Sequence, residues 1–453
     1  MGRRCTAWWR ARGWHGRCPS RHARVAVVAV VLGAAAVVPG EAAFAAGTSP
    51  GSYAFEAPGP YAFDENARSV DGATDTTGAD RLDVGTTYRS ALPQDGKLYY
   101  RLELDATSNV YVSVTAVPRA GTTVTPTDNL RVTLQDTDSR SCSYETVGFG
   151  SRSPHPIAAW GARETPVPGS SCQGAGTYYV IVERADRDDS SSDAWDLELA
   201  PVSEPRLRQT GATEAPEDWN SASPTPLLDE AEHREGGDGF TRAATVGQGV
   251  WRDDLRPGQT VFYKVPVDWG QQLYATAELG GSSGGDGGLV AVALDMSLYN
   301  PVRARVDDVS VSYNGSQKTG TLDPLPPVEY ANRYDNSDQV NGMRFAGSYY
   351  LVLHLAEQVG ERFGDGPFEL TLRTRVSGAA EAGPGYAGSA QPPNLFELTA
   401  QDREATNVGG SEASGSSDDT MAVVAVSGIG AGTVLLAVLG VWTLVARRRV
   451  GAW

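Results

Sequence analysis

The chain has 453 residues, with 55 Asp and Glu against 38 Lys and Arg and a formal net charge of −17. That acid excess argues against nucleic acid and anionic lipid surfaces as partners, since both would be approached against like charge. The acidity reads first as solubility and solvated loops, and second as a capacity for cations.

Residues 1–24 carry seven arginines and no acid and run into the apolar stretch 25–38. These are the charged and apolar regions of a secretory signal peptide, and Ala43-Phe44-Ala45 offers the small residues that signal peptidase needs. The 14 apolar residues would span about 21 Å as a helix, short of a bilayer core of roughly 30 Å. The expectation is a signal peptide over 1–45, which would remove Cys5 and Cys18.

A first β domain is expected over 46–200. Segments such as Leu98-Tyr99-Tyr100-Arg101-Leu102-Glu103-Leu104 alternate with the period of half-buried strands, and turn residues punctuate them. Cys142 and Cys172, an even pair in an oxidising compartment, predict one disulfide. No Cys/His spacing for zinc accompanies them. Asp186, Asp188, Asp189 and Asp193 cluster as calcium would require, but without the fixed spacing of a calcium loop; the reading is a solvated hairpin tip, with calcium as the alternative. No other cofactor is expected.

Residues 201–238, rich in Pro, Glu, Ser and Thr, form an expected linker that would leave the flanking domains independent. A second β domain follows over 239–375. Shifting the chain by 163 residues aligns 88–116 with 251–279 without a gap, so that Tyr100 meets Tyr263, Leu102 meets Val265 and Leu104 meets Val267. Farther on, Gly176-Thr177-Tyr178-Tyr179 parallels Gly347-Ser348-Tyr349-Tyr350, and Trp195, Leu197 and Leu199 parallel Phe368, Leu370 and Leu372. The middle strands carry Val132 and Leu134 in one copy and Met296 and Leu298 in the other.

At these residues the chain resembles bacterial pre-peptidase C-terminal domains, over about 84–200 and 246–373. The resemblance implies two jelly-roll-like β-sandwiches of a kind that accompanies secreted hydrolases and surface proteins. The second copy, with Val265-Pro266-Val267-Asp268-Trp269-Gly270-Gln271, Leu298-Tyr299-Asn300-Pro301 and Tyr330-Ala331-Asn332-Arg333, is also similar to the membrane-proximal half of actinobacterial von Willebrand A-type surface proteins.

Residues 376–420 are mostly Gly, Ala, Ser, Pro and acids, which predicts a disordered stalk; Asn394-Leu395-Phe396-Glu397-Leu398 is the exception, read as local stickiness, with packing against the domains or a docking peptide as alternatives. Residues 421–445 carry no charge and are long enough, at about 37 Å, to cross a bilayer. A transmembrane helix is expected over 421–446. Arg447, Arg448 and Arg449 place the tail 447–453 in the cytoplasm and the bulk outside. Gly428 and Gly432 make helix dimerisation an option.

The chemical motifs that the sequence offers have ordinary structural readings. Gly280-Gly281-Ser282-Ser283-Gly284 has the spacing of a nucleophile elbow but lies in a Gly/Ser loop rather than between strand and helix. His354 sits in a strand and is read as packed. Asp295-Met296-Ser297-Leu298-Tyr299 begins like a metal-dependent adhesion motif, yet its fifth residue is wrong. The expectation is therefore an all-β, non-enzymatic surface protein that binds an unidentified extracellular protein or glycan. An accessory subunit of a surface enzyme, adhesin or secretion complex is the alternative, and a hydrolase with a site across both sandwiches is third.

Overall fold

The structure, a computed structural model, describes residues 61–403 apart from 120, 152, 166–171, 186–189, 210, 217, 286 and 401. The expected signal peptide, transmembrane helix with its glycines, and cytoplasmic tail lie outside the described residues, as do Asp186, Asp188 and Asp189. Among the described residues no helix is long and apolar enough to cross a membrane.

Ten strands build the first sandwich: β1 (Arg68–Ser69), β2 (Asp80–Arg81), β3 (Tyr88–Leu92), β4 (Lys97–Leu104), β5 (Asn109–Val117), β6 (Asn129–Asp136), β7 (Ser141–Gly148), β8 (Ile157–Arg163), β9 (Gly176–Ala185) and β10 (Trp195–Glu204). They form two sheets, ordered β1-β3-β10-β5-β8 and β2-β4-β9-β6-β7. From β3 to β10 every connection crosses between the sheets except the β6–β7 hairpin. This is the double Greek key of a jelly roll. Strand alternation turns Tyr100, Leu102 and Leu104 of β4 inward against Val132, Leu134, Leu197 and Leu199.

The second sandwich comprises β11 (Glu232–His233), β12 (Ala244–Thr245), β13 (Gly249–Leu255), β14 (Thr260–Val267), β15 (Gln272–Leu279), β16 (Val290–Tyr299), β17 (Arg305–Tyr313), β18 (Lys318–Thr321), β19 (Gly347–Leu355) and β20 (Phe368–Ser377), with short helices α1 (Asp338–Gly342) and α2 (Glu357–Phe363). Its sheets run β11-β13-β20-β15-β18 and β12-β14-β19-β16-β17, which repeats the first sandwich strand for strand. The registers repeat too. Leu102 pairs with Tyr178 as Val265 pairs with Tyr349, and Leu104 with Gly176 as Val267 with Gly347. Each sandwich extends into the segment read as linker: β10 ends at Glu204, and β11 lies wholly inside 201–238.

The sandwiches are not independent. The outer face of the β1-β3-β10-β5-β8 sheet packs on the outer face of the β12-β14-β19-β16-β17 sheet, giving four stacked layers. Two clusters lie in this seam, one around Tyr61, Ala158, Phe240, Phe262 and Val352, the other around Tyr111, Ala162, Val302, Phe345 and Phe396. Strand β5 is consequently buried on both faces, and its polar Ser113 and Thr115 are as covered as Val112 and Val114.

The proximal part of the expected stalk is also ordered onto this seam. Phe396 is buried and stacks on Phe345 with ring centroids 4.8 Å apart. Residue 391 bridges Ser203, and Tyr386 bridges Leu207. Composition misled here because a few well-placed aromatics anchor a chain otherwise too polar to order itself.

Candidate binding face

Two places merit comparison, the seam and the outer faces of the stack. The seam is polar as well as apolar. Arg333 grips Glu204 with two hydrogen bonds of 2.7 and 3.1 Å, and the same carboxylate accepts from Asn109, Tyr111 and Tyr386. Burial pushes the Glu204 carboxyl up, but Arg333 and these donors outweigh it and hold the group below its ordinary range. Glu198 pairs with Arg303, and Glu164 with Arg344 at 3.0 Å. Each pair joins one sandwich to the other.

His354 of β19 is fully packed, as its strand position predicted. Its Nδ1 lies 3.0 Å from Thr260 Oγ1, its Nε2 lies 3.0 Å from Ser153 Oγ, and its ring stacks on His155 at 4.4 Å. Burial holds both rings neutral by pushing their pKa values down, and for His354 the neighbouring His155 adds to the effect. Nearby, burial pushes Glu145 up to about 7, against the N–H of Trp160 and the charge of Arg305.

The cavity beside this pair holds Asp295, Ser297, Arg305, Asp308 and Ser310 but measures only about 160 Å³. Ligand pockets usually run from about 300 to 1,000 Å³. Its carboxylates are also engaged, Asp295 accepting from both Ser297 and Ser310, and Asp308 pairing with Arg305. The seam is a joint.

The outer faces differ. On the β2-β4-β9-β6-β7 sheet, register places Tyr99, Ile181, Thr133 and Tyr144 in one row across four strands. Three inter-strand gaps make the row about 14 Å long. Tyr179 stands in the next row between Arg101 and Gln135. Tyr144 is 63% exposed, with the Arg131 guanidinium 4.7 Å from its ring centre. Lys97, Glu183, Arg101 and Glu103 rim the row with charge, Lys97 and Glu183 pairing at 3.0 Å.

The equivalent row in the second sandwich is Phe262, Val352, Ser297 and Asp308. There Phe262 and Val352 are covered by the first sandwich and buried in the seam, while Asp308 at the end of the row is exposed. In the first sandwich no second sheet opposes the same row: Tyr144 is exposed, Tyr99 and Thr133 are partly so, and Ile181 between them is buried. In β4, Tyr99 alternates with the inward-facing Leu98 and Tyr100, and the pairing of four strands joins it to Tyr144.

The remaining sequence candidates take ordinary places. Cys142 and Cys172 form the expected disulfide, with Cα atoms 5.6 Å apart. Of the four candidate calcium ligands only Asp193 is described; it is exposed and accepts from Ser191 Oγ at 2.7 Å. Among the described residues no group of three or more His, Cys, Asp or Glu is placed to hold a metal. Ser282 lies in a loop and accepts the N–H of Gly284.

No protein-family profile and no curated protein matches the chain. Among solved structures, the chain is similar to the tandem CBM22-1–CBM22-2 domain of Paenibacillus barcinonensis Xyn10C at 8% identity, covering 64% of this chain and 85% of that one with a TM-score of 0.18. It is also similar to a triple jelly-roll protein from the turret of an archaeal virus at 9% identity, covering 64% and 54% with a TM-score of 0.17. Superposition at this level carries no weight, and the jelly-roll assignment rests on strand order.

Proposed function

We propose that this is a single-pass, membrane-anchored cell-surface protein without catalytic activity, whose rigid double sandwich presents the Tyr99–Tyr144 face to a glycan. The observation that carries the reading is the row bearing Tyr99 and exposed Tyr144, set on the face whose counterpart in the second sandwich is buried in the seam. Tyrosine offers an apolar ring for the C–H face of a sugar and a hydroxyl for its polar edge, at small cost in side-chain entropy. Arg101, Gln135 and Thr133 supply the hydrogen bonds that fix orientation, and the row is long enough for a short oligosaccharide. The resemblance to pre-peptidase C-terminal and actinobacterial surface domains agrees with this placement, as do the expected signal peptide and helix.

The test is retention of the full chain on immobilised neutral polysaccharides, with Tyr99→Ala and Tyr144→Ala as variants. Each substitution should weaken binding about tenfold or more, in line with loss of a stacked aromatic contact. Unchanged retention in both would sink the reading. A protein ligand, as for an accessory subunit, is the second reading, favoured by the way Phe262 and Val352 dock on a protein sheet. It predicts that the same variants lose a protein partner and keep any polysaccharide binding.

A further inference from the structure

The outer face at the opposite end of the stack belongs to the β11-β13-β20-β15-β18 sheet. Its counterpart in the first sandwich is the face buried in the seam, where β10 presents Ala200 and Val202. At the equivalent positions β20 carries Arg373 and Arg375. The segment 220–227 crosses this face, tied down where Arg375 donates to the carbonyl of Thr225 at 2.9 Å and Gln272 donates to that of Asn220 at 2.9 Å. Between segment and sheet lies a cavity of about 540 Å³, within the ligand-binding range that the seam cavity falls short of.

Its floor is Tyr274 and Thr276 of β15, Thr321 of β18 and the two arginines, and its roof includes Pro224. Arg373 is answered by Glu278 at 3.2 Å. Arg375 has no carboxylate partner among the described residues. The planar fork is matched by a carboxylate. Asp323 stands on the rim, where a ligand hydroxyl rather than a second carboxylate would satisfy it.

We infer that this cavity binds a carboxylate-bearing sugar unit, such as a uronate residue, with the carboxylate on Arg375, the ring over Tyr274 and hydroxyls toward Thr276, Thr321 and Asp323; the local arginines offset the chain's net negative charge for a short acidic oligosaccharide. The site lies on a different face from the tyrosine row and stands or falls separately.

The experiment is calorimetric titration of the full chain with a galacturonate trimer and with its methyl ester, which keeps the rings and loses the charge. Arg375→Ala should weaken the acid trimer by roughly tenfold or more, as expected for a charged hydrogen bond, and Arg375→Lys by less. Arg140→Ala, at an exposed hairpin arginine of the first sandwich outside both faces, should leave it unchanged. Circular dichroism shows whether each variant is folded. The inference is overturned by equal binding of acid and ester, by unaltered binding in Arg375→Ala, by an equal loss in Arg140→Ala, or by no binding of the trimer at millimolar concentration.

Discussion

Glu204 illustrates how single residues hold the two sandwiches together. Its carboxylate is fully buried and meets Arg333, so removing the charge alone strands a buried guanidinium. Glu204→Gln should cost about 3 to 5 kcal/mol in urea unfolding, whereas replacing both partners by apolar residues of like volume should cost much less. The histidine pair and Glu145 make the seam sensitive to pH in opposite directions. His155 and His354 titrate below their ordinary 6.5 when folded, so the unfolded chain takes up protons first and stability falls as pH drops below 6.5. Glu145 keeps its proton up to about 7 when folded but only to about 4.5 when unfolded, so its contribution is lost as pH rises from 4.5 through 7. Glu145→Gln should therefore raise stability at pH 8 and steepen the loss below pH 6.5. A variant whose melting temperature keeps the parent's pH profile would refute the assignment.

At the scale of elements, the segment 377–400 acts as a clasp. Phe396 sits among Tyr111, Val302, Ala304 and Phe345, and Tyr386 reaches Glu204 at 2.8 Å. Both contacts bridge the seam. Phe396→Ala should destabilise the stack by about 3 to 5 kcal/mol, because the cavity left between two sheets cannot readily collapse. It should also open 377–400 to protease, since an unanchored polar chain exposes its backbone at little cost. Mass spectrometry of a limited digest would show cuts in this segment for the variant and none for the parent; equal cutting would rule the clasp out.

The whole molecule behaves as one cooperative body if the seam is as continuous as its buried pairs imply. Leu102 and Val265 occupy equivalent core positions and are both fully buried. Leu102→Ala should cost about 2 to 5 kcal/mol and Val265→Ala somewhat less. Because four sheets share three interfaces, each change should lower a single calorimetric transition of the described body. Two separate transitions, with only one shifted, would restore the picture of beads on a linker that the composition of 201–238 evokes. The end face at β20 carries Arg373 and Arg375 where the seam has Ala200 and Val202, and a further sheet docking there would have to desolvate them.

The all-β class, the duplication, the inward parity of Tyr100, Leu102 and Leu104, and the disulfide were all legible in the sequence. Each depends on period-2 alternation or on spacing, which are properties of a chain taken locally or against itself. What the tertiary structure decided is which outward faces meet. Tyr99 and Phe262 are equivalent in alternation and nearly equivalent in chemistry, yet one is partly exposed and the other buried, because only Phe262 is opposed by a second sheet. Partner choice between faces depends on pairs such as Glu204 with Arg333, 129 residues apart. No local pattern encodes a separation of that kind, so both the seam and the face it leaves open emerge only when the four layers are stacked.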